Sequence, residues 1–268
     1  LPTVSPWGCH VSNTWQNSES QITSDDILKD WQAKNEVKLV IAEDGTPKIL
    51  LVSAPAEHEI AFIDWISFTL KRYTFMDDYI GLDESLINDV CIDRMGQKLE
   101  KIFGFKLGQK RKNGKNFYEQ CYEITNHEGV GVGDLCIGGQ ANSILVMING
   151  QGCLMGDYGW QNRLYDFLKQ SQGVKITRLD LAHDDYDGTY LNIDDLNERE
   201  SNKEFYYFGK PARVTWYGDW KYLDRDKLGR TLQIGCRTSD KLLRAYEKGK
   251  QLGDKNSEWV RLEVELKA

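Results

Sequence analysis

The stretch KITRLDLAHDDYD, residues 175–187, alternates apolar and polar side chains, and this period of two predicts a long β-strand. Its apolar residues fall on one face together with His183, which we therefore expect in the core. Its other face carries Arg178, Asp180 and Asp184. A strand of this kind predicts a sheet that is covered on one side and polar on the other.

A second run, WVRLEVELK at residues 259–267, alternates in the same way and places Glu263 and Glu265 on its polar face. Carboxylates on neighbouring strands repel each other unless a cation or a proton lies between them. Hard divalent cations such as Mg²⁺ or Mn²⁺ prefer oxygen ligands of this kind. The pattern leaves two interpretations open: a carboxylate metal site, or two unrelated strand faces in contact with water.

The remaining periodic segments predict an α+β fold with mainly antiparallel sheets and flanking helices, because strands and helices do not alternate regularly. We expect helices at residues 24–34, 83–103, 158–170 and 192–199. We expect strands at residues 38–42, 45–52, 60–70, 212–217, 230–237 and 242–248, and a β-meander over 104–150. In the strand at 60–70, Trp65 is predicted to be a core residue.

The predicted elements suggest how the chain is organised. Residues 1–58 form an N-terminal extension without an assignable role, and residues 59–268 form the main domain. Within it, residues 60–150 and 175–268 share an order of elements: a strand with an internal Asp, a helix, then several strands. This order predicts a diverged internal duplication whose halves share one composite core.

Composition is typical of a soluble globular protein, with 40% hydrophobic and 28% charged residues. No apolar run approaches the length of a membrane span, so we expect no membrane partner. Six scattered cysteines, without a CxxC pair, predict reduced thiols in a cytoplasm. The net charge of −7 argues against a protein that coats nucleic acid nonspecifically.

Positive charge is concentrated in KIFGFKLGQKRKNGKNFY, residues 101–118, which has six basic residues, no acidic residue and several aromatic residues. Lys-Asn-Gly at 112–114 is a favourable hairpin tip, so the segment predicts a basic β-ribbon. It is either a solvated hairpin or a DNA contact. The basic residues that would contact DNA are Lys106, Lys110, Arg111, Lys112 and Lys115.

The run LLRAYEKGKQ, residues 242–251, places a tyrosine between two cations. As a strand it would send Arg244, Tyr246 and Lys248 out of one face. Tyr246 is then either a solvated surface residue or a nucleophile directed at a phosphate. A metal site, a tyrosine with nearby cations and a basic ribbon would together suit phosphoryl transfer on DNA.

The sequence resembles the Rep_trans-type rolling-circle replication initiators of small plasmids and filamentous phages. The matching segments occur in the family's order and cover about residues 60–268. They are IDWISFT at 63–69, NGQGC at 149–153, TRLDLAHDDYDG at 177–188, IGCRTSDKLLRAYEKGKQ at 234–251 and WVRLEVELK at 259–267.

This resemblance implies a DNA nicking-closing endonuclease whose nucleophile is Tyr246. It implies Asp180 and Glu263 as ligands of Mg²⁺ or Mn²⁺, with Asp184 and Glu265 as further ligands or as support for the ligands. Tyr246 would attack an origin phosphate, form a 5′-phosphotyrosine link and release a 3′-OH. Arg244 and Lys248 would neutralise the attacked phosphate.

The resemblance also implies partners: origin DNA as a single strand or hairpin, a second copy of the chain, and the host helicase and polymerase. The acidic overall charge departs from this expectation, and a further C-terminal DNA-binding segment would account for it. Two alternatives stay open. One is an origin- or operator-binding protein without catalysis, and the other is a metal-dependent DNA phosphodiesterase that uses water.

Overall fold

The computed structural model describes residues 35–41, 45–53, 60–75, 83–206, 209–218, 220 and 229–268. The helix expected at residues 24–34 lies outside this part of the chain. A separate hairpin consists of β1 (Asn35–Ile41) and β2 (Pro47–Ser53). The remaining strands are β3 (Phe62–Lys71), β4 (Lys106–Lys110), β5 (Gln120–Thr125), β6 (Gly131–Ile137), β7 (Ser143–Ile148), β8 (Lys175–Asp185), β9 (Val214–Tyr217), β10 (Thr231–Gly235), β11 (Lys241–Glu247) and β12 (Val260–Lys267).

Five α-helices and one short 3₁₀ helix at Arg72–Thr74 connect these strands within the described residues. The α-helices are α1 (Glu84–Phe103), α2 (Gly150–Met155), α3 (Trp160–Gln170), α4 (Ile193–Ser201) and α5 (Lys248–Gln251). The first helix begins where sequence signals predict, because the Asp83 carboxylate accepts a hydrogen bond from the amide of Ser85 at 2.7 Å. It ends at Gly104, whose φ of 76° is a left-handed conformation that glycine adopts readily.

Ten of the strands form one antiparallel sheet in the order β4-β5-β6-β7-β3-β8-β12-β11-β10-β9. The predicted α+β class with mainly antiparallel pairing is therefore confirmed. In the first half of the sheet, β3 is followed by α1 and the four strands β4–β7, and β7 lies beside β3. In the second half, β8 is followed by α4 and the four strands β9–β12, and β12 lies beside β8. The topology has the order that a duplication would produce, but the duplication itself stays a prediction.

The helices α1 to α4 cover one face of this sheet and create its core. Fully buried Phe68 and Leu70 of β3 pack with α1, α2 and α3 in one large cluster. A smaller cluster places α4 against β10 and β11, including fully buried Leu232 and Ala245. Each buried side chain of the size of Phe or Leu stabilises the fold by roughly 1.5–3 kcal/mol.

The opposite face, called the polar face below, carries the alternate residues of the central strands, among them Arg178, Asp180 and Glu263. His183 lies on the helix-covered face as predicted, but it is only half-buried, and its Nδ1 lies 2.5 Å from the carbonyl oxygen of Ile60. No helix among the described residues is long and apolar enough to cross a membrane.

Two local predictions are wrong. The basic segment pairs as a strand only over β4, and residues 111–119 form a long loop rather than a hairpin with its tip at 112–114. Cys121 and Cys136 lie opposite each other on β5 and β6, with 4.1 Å between their Cα atoms, and are joined by a disulfide. The expectation of reduced thiols therefore fails for this pair, because strand register brings together residues that are remote in sequence.

Candidate active site

The polar face of the central strands forms the floor of a cavity of about 800 Å³. Its floor lies on β3, β8, β11 and β12, which are adjacent in the sheet. Charged side chains of both signs line it, together with one tyrosine. These residues are Asp64, Asp180 and Glu263, then Arg178, Arg244, Lys248 and Arg261, and Tyr246.

Tyr246 is half-buried near the end of β11, next to Arg261 on β12. Its hydroxyl donates a hydrogen bond to Oε1 of Glu263 at 2.5 Å. Burial raises the pKa of Tyr246 well above its usual range, and the charge of Glu263 adds to this effect while Arg261 opposes it. The phenol is therefore protonated at neutral pH, and Glu263 lies where it can accept the proton.

The two cations predicted beside Tyr246 face the same cavity. Nη2 of Arg244 lies 2.7 Å from Oε2 of Glu263, and Nζ of Lys248 lies 5.6 Å from the centroid of the Tyr246 ring. Lys248 arrives there from the first residue of α5, because β11 ends at Glu247 and not at Lys248 as predicted. Burial and the nearby Arg261 lower the pKa of Lys248.

The two principal predicted metal ligands also meet in this cavity. Asp180, almost fully buried, accepts two hydrogen bonds from Arg178, at 2.8 and 2.6 Å. Nη2 of Arg244 lies between the two carboxylates, 2.7 Å from Glu263 and 4.0 Å from Asp180. An arginine therefore supplies the positive charge between Asp180 and Glu263 in this conformation.

The other two predicted ligands hold cationic side chains and do not line the cavity. Asp184 accepts hydrogen bonds from Arg261 at 2.7 and 2.6 Å and from the Trp259 indole at 2.8 Å. Glu265 contacts Lys267 at 2.5 Å and Arg178 at 3.0 Å. Burial alone would raise the pKa of Glu265, but these two cations outweigh it and lower that pKa.

Asp64 is a site residue that the sequence pattern did not reveal. The pairing of β3 with β8 slips between Ile63 and Trp65, and this β-bulge lets both Asp64 and Trp65 face the cavity. Oδ1 of Asp64 lies 3.2 Å from Nη1 of Arg261. Burial raises the pKa of Asp64 from 3.8 to about 6, although Arg261 opposes the shift.

Trp65 is not the core residue that was predicted. The guanidinium of Arg178 lies over its ring, 4.5 Å from the centroid, and its indole NH donates to Ser67 at 2.8 Å. The only sequence signal for the change of face was the Asp within an otherwise apolar strand.

The donors of the cavity fit a hard divalent cation in their chemistry, because Asp64, Asp180 and Glu263 all contribute carboxylate oxygens. Within the described part of the chain, however, no three His, Cys, Asp or Glu side chains are grouped closely enough to hold a metal ion. Arg178 and Arg244 pair with the carboxylates instead.

The basic segment folds back onto the polar face of the sheet. Asp134 of β6 accepts hydrogen bonds from Arg111 and, at 2.5 Å, from Lys115. Arg111 also lies 3.3 Å from Glu123. Lys106, Lys110 and Lys112 are exposed, and Lys110 donates to the side chain of Gln120 at 2.8 Å. The positive charge of Arg111 and Lys115 is thus partly neutralised within the protein.

Comparisons with known proteins identify what the chain is similar to. Residues 174–268 match the model of the family described as replication initiation factor, Rep_trans. The structure is similar to the rolling circle replication initiator protein from Geobacillus stearothermophilus, with 28% identity and a TM-score of 0.54, over 77% of this chain and 74% of that chain. No curated protein sequence matches the chain significantly. The resemblance to rolling-circle replication initiators is thereby confirmed.

Proposed function

We propose, on this relationship to the rolling-circle replication initiators, that the protein nicks and rejoins origin DNA with Tyr246 as the nucleophile. One observation carries the proposal: the Tyr246 hydroxyl faces a cavity of carboxylates and cations and donates its proton toward Glu263 at 2.5 Å. A tyrosine with a proton acceptor and nearby cations has the parts that nucleophilic attack on a phosphate requires.

In the first step the Tyr246 oxygen forms a bond to the phosphorus of the scissile phosphate. Its proton passes to Glu263, and the bond between phosphorus and the 3′ oxygen breaks. The 3′ oxygen leaves as a 3′-OH by taking a proton from water, and Glu263 returns the proton that it accepted to water. The 5′ phosphate stays on Tyr246 as a phosphotyrosine ester. Rejoining is the reverse reaction, in which a 3′-OH attacks the ester and Tyr246 recovers its proton.

The raised pKa of Tyr246 makes a proton acceptor necessary, because a buried phenol ionises poorly without one. Glu263 is the group in hydrogen-bond contact with the phenol. Arg244 and Lys248 face the same cavity and would stabilise the negative charge that builds up on the phosphoryl oxygens.

Asp64, Asp180 and Glu263 are the residues that would hold Mg²⁺ or Mn²⁺. A bound divalent cation would polarise the scissile phosphate. Asp184 and Glu265 are assigned a supporting role, since each holds an arginine of the site through a short ion pair.

The biological reaction that follows from this chemistry is the initiation of rolling-circle replication in the cytoplasm. The released 3′-OH would prime the host polymerase, and the host helicase would separate the strands. The DNA partner would be the origin of a plasmid or phage, presented as a single strand or hairpin. A second copy of the chain would take part as a homodimer.

The test is formation of a covalent adduct with a single-stranded oligonucleotide from the origin of the replicon that encodes the protein, in the presence of Mn²⁺. Wild-type protein should give a protein–DNA band that survives SDS, and Tyr246→Phe should give none. Tyr165→Phe is the matched control, because Tyr165 is 65% exposed on α3, on the helix-covered face. Cleavage without an adduct would favour a phosphodiesterase that uses water, and origin binding without cleavage would favour a non-catalytic DNA-binding protein.

A further inference from the structure

Residues 115–118 form a tight turn that holds a phenylalanine in an unfavourable conformation. The amide of Tyr118 donates a hydrogen bond to the carbonyl oxygen of Lys115 at 2.9 Å. The φ angles of Asn116 and Phe117 are 52° and 68°. These features are those of a type I′ turn, whose second central position favours glycine. Asparagine tolerates such angles, whereas a bulky aromatic residue there is a genuine outlier.

Phe117 does not repay this strain by packing, since it is 90% exposed. The other three residues of the turn each make a side-chain contact. Lys115 contacts Asp134 at 2.5 Å, and the side-chain amide of Asn116 lies 3.2 Å from the sulfur of Met147. Tyr118 is buried, with its hydroxyl 2.7 Å from Ser143. A strained residue that covers no surface, within a well-held turn, indicates a function outside the fold.

The turn lies over the same sheet face as the candidate active site. Its contacts Asp134 and Met147 belong to β6 and β7, and they pair directly with each other. Trp65 lines the cavity of the active site, and it also lines a second cavity of about 180 Å³ that is shared with Lys115 and Asn116. The surface between Tyr246 and the turn is therefore continuous and passes over Trp65.

Strand pairing gives the separation between the nucleophile and the turn. Tyr246 of β11 lies opposite Arg261 of β12. Met147, under the turn, belongs to another row of paired residues, which crosses the sheet through Ser67 and Arg178 to Lys267 of β12. Four strand spacings of ~4.8 Å and six residues of ~3.3 Å separate the two rows, which corresponds to roughly 28 Å in a straight line. A stacked nucleic-acid strand covers this distance in about eight nucleotides, at about 3.4 Å per nucleotide.

We propose that Phe117 stacks on an unpaired base of the origin DNA, about eight nucleotides from the phosphate that Tyr246 attacks. The inference rests on the proposed function and adds a second point of contact to it. Every base can stack on an aromatic ring, so the contact does not require a particular base. Exposed Lys112 in the same loop would attract the phosphates of the DNA backbone. The loop would hold the strand at a set distance from the nick.

The test compares Phe117 variants in EDTA by fluorescence anisotropy on the single-stranded origin oligonucleotide. Phe117→Ala should bind about 5- to 150-fold more weakly, as expected for the loss of one stacked base. Phe117→Trp should bind as wild type. Tyr165→Ala is the matched control and should bind as wild type. Tyr165 is also an exposed aromatic residue, with a lysine 6.0 Å from the centre of its ring, but it lies on the helix-covered face.

Two further readouts separate stacking from a structural role and from the nicking chemistry. Phe117→Gly should weaken binding while raising the melting temperature, because glycine relieves the turn. A 2-aminopurine placed about eight nucleotides from the nick should be quenched by wild-type protein but not by Phe117→Ala. Wild-type affinity in Phe117→Ala, or loss of affinity in Phe117→Trp as well, would overturn the proposal. If Phe117→Ala binds more weakly as expected but wild-type protein forms no covalent adduct through Tyr246, the stacking proposal stands and the nicking function is refuted.

Discussion

Replacing Asp64 by Asn should stabilise the protein in a way that depends strongly on pH. The Asp64 carboxyl is largely buried, 3.2 Å from Arg261, and burial raises its pKa from 3.8 to about 6. The folded protein therefore binds a proton at this site more tightly than the unfolded chain does. Asparagine has a similar shape and cannot ionise, so the variant loses this coupling between protonation and folding.

The size of the effect follows from the difference between the two pKa values. Each unit corresponds to about 1.36 kcal/mol, so the shift from 3.8 to about 6 amounts to at most about 3 kcal/mol. The stabilisation of the fold by protonated Asp64 is complete below pH 3.8 and is lost as the pH rises to about 6. At pH 8 wild-type protein should consequently be less stable than Asp64→Asn by up to about 3 kcal/mol. Near pH 4 the two proteins should have nearly the same free energy of unfolding.

Urea unfolding between pH 4 and pH 8 in EDTA measures this difference directly. Asp166→Asn is the control, because Asp166 is an exposed carboxylate on α3, and surface changes of this kind usually stay within about 0.5 kcal/mol. If Asp64 binds the ion, adding Mg²⁺ or Mn²⁺ should stabilise only the wild type and so reduce the difference in unfolding free energy between the two proteins at pH 8. An Asp64→Asn variant that is less stable than wild type at pH 8, or a difference in unfolding free energy that does not change with pH, would show that burial does not raise the pKa of Asp64.

Three further predictions concern catalysis and DNA binding. Asp180→Asn and Glu263→Gln should each nearly abolish nicking while melting as cooperatively as wild type, and a wild-type nicking rate in either variant would show that the site is misplaced. Arg244→Ala should slow single-turnover nicking by about 10²–10³-fold, or about 2.7–4 kcal/mol, if it stabilises phosphoryl charge, and an unchanged rate would remove it from the mechanism. Lys112→Ala should reduce the slope of log affinity against log salt concentration by about 1, whereas Arg111→Ala, which is paired with carboxylates, should change the melting temperature more than the slope.

The strands of the site could be predicted because their alternation is regular. In β8 and β12 the period of two separates the charged face from the apolar face without ambiguity. Alternation alone could not show that Asp180 and Glu263 share a cavity, since this depends on β8 and β12 being neighbours, and they are remote in sequence. Nor could it distinguish a carboxylate that faces the cavity from one, such as Asp184, that holds an arginine.

Irregular backbone explains what the pattern missed. The bulge in β3 moves Asp64 and Trp65 to the cavity, because one inserted residue reverses the alternation beyond it. The tight turn of the basic loop lies at Asn116 and Phe117 and not at Asn113-Gly114, the expected tip. A phenylalanine at the position where such turns favour glycine gives no sequence signal for the turn.

If Tyr246 is the nucleophile, it forms the covalent bond to DNA, and mapping of the adduct identifies the residue that carries the nucleotide. Wild-type protein should be trapped on the single-stranded origin oligonucleotide with Mn²⁺, digested with nuclease and protease, and analysed by tandem mass spectrometry. We expect a nucleotide remnant on the phenolic oxygen of Tyr246 and on no other residue. A remnant on a different tyrosine, or on a serine or histidine, would contradict it.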